Sequence, residues 1–150
     1  YSSDSNAIFI SEGNITINPQ VESSGDGIEG CIFLANNDII LPEDDSLPNS
    51  AIVRYEYMDG FLIAGDQVVV QPSSVEKIVR NGIEIKGGVV AFGRDSTDSV
   101  AFLIQRSLRL FNRTNPSVVL VWDVRYGKLS EIFFGTEAPM YKQDVGFKVF

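Results

Sequence analysis

The sequence predicts an all-β protein, an antiparallel β-sandwich or jelly roll. Three observations lead there. Apolar and polar residues alternate with a period of two over many short stretches, as in strands with one buried face. Gly, Pro, Asn and Asp interrupt those stretches roughly every ten residues, the spacing of sandwiches and barrels. No segment reads as a βαβ unit, so a doubly wound parallel sheet is not expected.

The elements follow in order. "NAIFIS" (6–11) is a strand and Gly13 supplies the turn after it. In "NITIN" (14–18), Ile15 and Ile17 share one face, while Asn14, Thr16 and Asn18 share the other. Residues 19–30 carry turn chemistry without periodicity and read as a loop. "CIFLA" (31–35) and "IILP" (39–42) are short apolar runs bounded by turn residues, the signature of strands buried on both faces. "PEDDSLPNS" (42–50) is a second loop, whose two prolines cannot donate to a ladder. From Val53 to Val70 the pattern predicts strands separated by turns at Asp59-Gly60 and Gly65-Asp66. Residues 76–86 predict a hairpin about Asn81-Gly82, and Gly87-Gly88 breaks it before "VVAFG" (89–93). Residues 99–113 fit both periodicities and are assigned to strand, because every neighbouring segment is β. "VVLVWDV" (118–124), "SEIFFG" (130–135) and "VGFKVF" (145–150) complete about eleven or twelve strands. No internal repeat of fixed period stands out.

Composition bounds the function. The 150 residues are expected to form a single domain, 1–150, and the chain opens on Tyr1 without a methionine, as a fragment or processed product would. The net charge is −8, and the first 53 residues hold nine acids and no Lys or Arg. Such a surface repels phosphate, which argues against nucleic acid as a partner and against adsorption to anionic lipid. No apolar run approaches the roughly 20 residues a membrane-spanning helix needs. The single cysteine, Cys31, excludes a disulfide scaffold; its apolar neighbours predict a buried small side chain.

Catalytic chemistry finds little to work with. The chain has no histidine, which removes His-based acid–base catalysis and His metal sites. No phosphate-cradling glycine motif is present, and no cofactor is expected. Glu56, Glu84, Asp123 and Glu131 are the carboxylates a glycosidase pair could draw on, but their strand positions predict solvated faces. The acidic loops "SSGDGIEG" and "PEDDS" lack the alternation of a calcium loop and read as solvated turns. The sequons at Asn14 and Asn112 read as chance occurrences. Arg106, Arg109 and Arg113 form the densest basic cluster, able to receive an anion or to pair across subunits. Tyr55, Tyr57, Phe61 and Trp122 read mostly as core; if exposed, Tyr55 and Tyr57 would offer a stacking platform for sugar.

One longer pattern runs from Leu47-Pro48 through Asp59-Gly60 and the Ile78-to-Gly87 segment "IVRNGIEIKG" to the strand bearing Trp122. It resembles the β-rich terminal domains of bacteriophage tail needles and tail fibres, over roughly residues 40–125. The nearest likeness is the tail-needle knob of short-tailed phages, a jelly roll of the tumour-necrosis-factor type. The resemblance implies a homotrimer on an upstream shaft, at the tip of a virion assembled in the host cytoplasm. It further implies a structural, adhesive contact with a bacterial cell-surface component, and it carries over no catalytic residue. A lectin-like module and a carboxylate-based glycan hydrolase are the competing expectations.

Overall fold

The computed structural model describes residues 7–19, 30–45, 52–76, 80–94, 100–108 and 112–127. These residues contain nine strands: β1 (Ala7–Ser11), β2 (Ile15–Thr16), β3 (Cys31–Ala35), β4 (Ile39–Leu41), β5 (Tyr55–Ala64), β6 (Val68–Val70), β7 (Gly82–Ala91), β8 (Phe102–Ile104) and β9 (Val118–Trp122). The predicted strands at 130–135 and 145–150 lie outside the described residues.

The antiparallel expectation is overturned. Odd-numbered strands form one sheet in the order β1-β3-β5-β7-β9, and even-numbered strands form another in the order β2-β4-β6-β8. Every pairing is parallel. Each strand therefore pairs with the strand two places on, and the chain winds as a parallel β-solenoid, each coil laid on the one before. The physical reason for the error is simple. Alternation reports an extended backbone and a buried face, and it is identical for either direction of the neighbour. The second half of the hairpin predicted over 76–86 pairs elsewhere: Gly82 opens β7, and Tyr55 of β5 is its register partner.

Two other predicted breaks lie inside strands. Asp59-Gly60 and Gly87-Gly88 fall within β5 and β7, which are ten residues long. Gly60 and Gly87 are register partners. Gly87 has φ +141°, and a Cβ there would lie 2.1 Å from the Gly60 carbonyl oxygen. Only glycine fits both requirements. Pairing changes at this point as well. The half of β5 beyond Gly60 pairs with β3, and the half of β7 up to Gly87 pairs with β9. The odd-numbered sheet thus divides into two faces, and β2-β4-β6-β8 form the third. Of residues 99–113, expected as one strand, the described ones supply only the three residues of β8, and 112–113 form a short 3₁₀ turn.

A repeat becomes visible once the register is known. "AIFISEGNITI" (7–17), "CIFLANNDIIL" (31–41) and "GFLIAGDQVVV" (60–70) occupy equivalent places on successive coils. Each holds one strand, a three-residue corner and the next strand. At the corner a polar side chain ties one coil to the next. Asp38 N–H donates to Asn14 Oδ1 (3.2 Å), Gln67 N–H to Asp38 Oδ1 (3.2 Å), and Gln67 Nε2 to the Val100 carbonyl (2.6 Å).

Like residues stack along the axis. Phe9, Phe33, Leu62 and Val89 form one inward ladder, and Ile15, Ile39, Val68 and Phe102 another. The Phe9 and Phe33 rings are stacked with centroids 5.0 Å apart. Ile39, Leu62, Val68, Val70 and Ile83 are fully buried, and each contributes about 1.5–3 kcal/mol relative to an exposed side chain.

Candidate functional site

Two clusters of charged side chains lie within the described residues, and both are partly or wholly buried. The first occupies the corner where the chain leaves the even-numbered sheet. Arg106 follows β8 and has a side chain 0% exposed. Its Nη1 donates to Glu56 Oε2 at 2.7 Å, and Glu56 is itself 1% exposed. Arg106 Nε donates to the Gln71 carbonyl (3.1 Å), and Nη2 reaches the Leu41 carbonyl (3.4 Å). The other Glu56 oxygen accepts the Asp44 N–H (2.9 Å).

Beside it, Glu43 accepts the N–H groups of Asn81 and Ser73, each at 2.9 Å, and pairs with Arg80 at 3.4 Å. Asp45 accepts the hydroxyls of Ser73 and Ser74. The cluster therefore joins segments from three successive coils of the chain. The corner is built this way because a solenoid loop leaves backbone groups that the ladder cannot pair, and burial requires partners for them. Among the described residues no buried side-chain polar atom lacks a hydrogen-bond partner.

The second cluster covers the bend at Gly60 and Gly87. Asp59 on β5 accepts the Tyr126 hydroxyl (2.6 Å) and Arg125 Nη2 (2.8 Å). Arg125 Nε also donates to Asp123 Oδ2 (2.8 Å), and Lys86 Nζ lies 3.6 Å from that oxygen. The hydrogen bond from Arg125 holds the Asp123 carboxyl below the usual carboxylate range. Burial first, and the bond to Asp59 second, push the Tyr126 phenol upward. Burial also raises the Cys31 thiol, and the Asp59 charge adds to it. Cys31, expected to be a buried small side chain, is partly buried and packs against the core. The Tyr126 ring stacks on Phe61 at 6.1 Å, and Trp122 meets Phe61 edge-on at 6.4 Å.

The residues singled out from sequence fall in different places. Arg106 is an internal tie and does not reach solvent; Arg113 is exposed on the 3₁₀ turn, and Arg109 lies outside the described residues. The basic cluster is thus not one surface. Tyr55 is half-buried and donates its hydroxyl to the Pro116 carbonyl (2.8 Å); burial is the main cause of its raised pKa. Tyr57 is 49% exposed and Trp122 67%. Of the four carboxylates, Glu56 and Asp123 are buried against Arg106 and Arg125, Glu84 is half-buried beside Tyr57 in register, and Glu131 lies outside the described residues. Asn14 serves the corner ladder, and Asn112 Oδ1 accepts the Leu108 N–H and the Ser117 hydroxyl.

Sequence reading missed Glu43, Asn81 and Asp59. "PEDDS" reads as a solvated turn, yet the Glu43 side chain is 0% exposed. No local signal separates a solvated acid from one that caps the backbone of another coil. Among the described residues no group of three or more acidic or Cys side chains could hold a metal, and no helix is long and apolar enough to cross a membrane.

These features define a class by architecture, a parallel β-solenoid stapled by buried ion pairs. Compared with protein-family models, curated proteins and solved structures, the chain matches none of them.

Proposed function

We propose that this chain is a rigid structural and adhesive module of a phage tail needle or tail fibre, which contacts the bacterial cell envelope through its outer faces. The jelly-roll knob implied by the sequence resemblance is not part of this reading, because the coils are parallel. What supports the structural role is the use of the buried carboxylates. Glu43, Glu56 and Asp59 hold backbone amides, guanidinium groups and a phenol belonging to other coils. Carboxylates so engaged stiffen a stack; a glycosidase acid needs access to a scissile bond. The appendage setting comes from the sequence resemblance alone.

The test is co-sedimentation of the labelled protein with bacterial envelope fragments, with released sugar measured in parallel. Saturable binding without turnover is expected. Absence of binding to any envelope tested would remove the adhesive role, and sugar release would replace it with a hydrolase. The exposure of Tyr57 and Trp122 favours a second reading, a carbohydrate-binding module. A glycan array discriminates: that reading requires a defined oligosaccharide ligand whose binding falls at least ten-fold in Tyr57→Ala or Trp122→Ala.

A further inference from the structure

The inward ladders are open at one end of the solenoid. The last described coil consists of residues 88–91 of β7, with β8 and β9, and among the described residues no strand pairs with their far edges. One rung back, Leu62, Ala64, Val68, Val70, Ile83 and Ile85 are at most 1% exposed. Their partners in the last coil are less covered. Val89, Ala91, Phe102 and Val118 are only partly buried, Ile104 is 47% exposed and Leu120 is 55% exposed. The backbone is open there as well. Val68 N–H donates onward to the Ala101 carbonyl (2.9 Å), and Gln105 N–H donates back to the Val70 carbonyl (2.9 Å). The same alternation turns the N–H groups of Phe102 and Ile104, register partners of Val68 and Val70, past the last described coil. A solenoid end with a bare core and a bare edge calls for a cap.

The winding of the chain says what the cap is. β5 and β7 each pass the bend at Gly60 and Gly87 and run on along the face that β3 occupies. β9 reaches the same bend: Trp122 is the register partner of Gly87, and Asp123 N–H donates to the Gly87 carbonyl (3.3 Å). Residues 128–150 thus follow the corner from which the two preceding coils were laid. Their length suffices, since the last coil draws two of its faces from residues 89–104. Their sequence repeats that stretch. "VVAFG" (89–93) is matched by "EIFFG" (131–135), and "VAFLI" (100–104) by "VGFKV" (145–149), in the same order. Gly135 falls at the place of Gly93, whose φ of +62° favours glycine. Phe133, Phe147 and Val149 fall at the inward places of Ala91, Phe102 and Ile104, and Lys148 at the outward place of Leu103. Glu131 falls at the place of Val89, acceptable on a final coil whose far side meets water.

We propose that the open end is the docking site of the chain's own residues 128–150, laid on it as one further coil, with 131–135 along 89–93 and 145–149 along 100–104. Carbonyls of the added coil accept the N–H groups of Phe102 and Ile104, and its apolar side chains cover the last rungs of the ladders. A tethered segment has the advantage over a second copy, because its effective concentration at the site is of millimolar order.

The experiment is amide hydrogen exchange followed by NMR on the full chain. The N–H groups of Phe102 and Ile104 are expected to exchange at least about 100-fold more slowly than unstructured amides, and equally so at about 500 and 50 μM protein. Phe147→Asp is expected to speed both by about ten-fold or more, while Val68 and Val70, one coil deeper, keep their protection. Lys148→Asp, on the other side of the same strand, leaves all four unchanged. Should Phe147→Asp fail to fold, Phe147→Ala and Val149→Ala carry the test, each with an increase of about three-fold at Phe102 and Ile104. Rapid exchange at these two amides in the parent chain would overturn the proposal. So would protection indifferent to the Phe147 and Val149 variants, a Lys148→Asp effect as large as that of Phe147→Asp, or protection that falls on dilution, as when a second copy supplies the cover.

Discussion

Replacing Arg106 with methionine tests whether the buried corner holds the coils together. The guanidinium is fully enclosed and engages Glu56 and the carbonyls of Gln71, Leu41, Asn81 and Gly82. The last three contacts are 3.4–3.5 Å and weak, so the 2.7 Å ion pair and the 3.1 Å bond to Gln71 dominate. Methionine fills much of the volume but leaves the Glu56 carboxylate, 1% exposed, with its cation gone. Stranding one member of a buried pair costs about 3–5 kcal/mol. For a chain of this size that lowers Tm by about 6–20 °C. Urea unfolding followed by both circular dichroism and tryptophan fluorescence measures the loss and checks that the coils unfold together.

The double variant Glu56→Leu with Arg106→Met removes both charges. It is expected to be about 1–3 kcal/mol more stable than Arg106→Met alone, since only unpaired backbone groups remain. An Arg106→Met loss below about 1 kcal/mol, the range of an exposed pair, would refute the reasoning. So would a double variant no better than the single one.

Gly87→Ala should prevent stable folding, because it combines a φ of +141° with a Cβ 2.1 Å from the Gly60 oxygen; far-ultraviolet circular dichroism of the soluble fraction reads the result. Tyr126 gives a pH dependence at the alkaline end. Its folded pKa is raised, so its contribution is full below the unfolded value of about 10 and is lost as pH rises above it. Tyr126→Phe should therefore flatten the fall in stability above about pH 10, as measured by urea midpoints across pH. Asp123 has the opposite sign. Its folded pKa is depressed, so its contribution is present above about pH 4 and is lost as pH falls through the lower folded value. Asp123→Asn should lower the urea midpoint at neutral pH and leave it nearly unchanged in strong acid.

The charge pattern behaves differently from the strand pattern as a guide. Arg106 sits in "IQRSLRL" with no local sign that it would point inward, and Glu56, whose strand position predicts a solvated face, lies buried against it. Their encounter spans fifty residues and three changes of sheet. Asp59 and Tyr126 meet across a similar gap. Such pairs depend on the axial stacking of coils, which a single sequence leaves unstated when coil length varies. The register steps are 24 residues from Ala7 to Cys31, 29 from Ile32 to Phe61, 27 from Tyr55 to Gly82 and 35 from Ile83 to Val118. This variation hid the repeat, although its three copies are alike in pattern.

Taken by itself, the sequence determined that the backbone is extended, where most strands lie, and that successive side chains of a strand take opposite faces. It did so because the pleat turns every second residue the same way, a property of each strand alone. It also determined that no histidine chemistry is available. The tertiary structure alone decided that the neighbours run parallel, that glycine pairs bend strands instead of ending them, and that acids in apparent turns are buried. Those outcomes depend on which coil lies above which, and the free energy that selects the stacking comes from contacts between residues far apart in the chain.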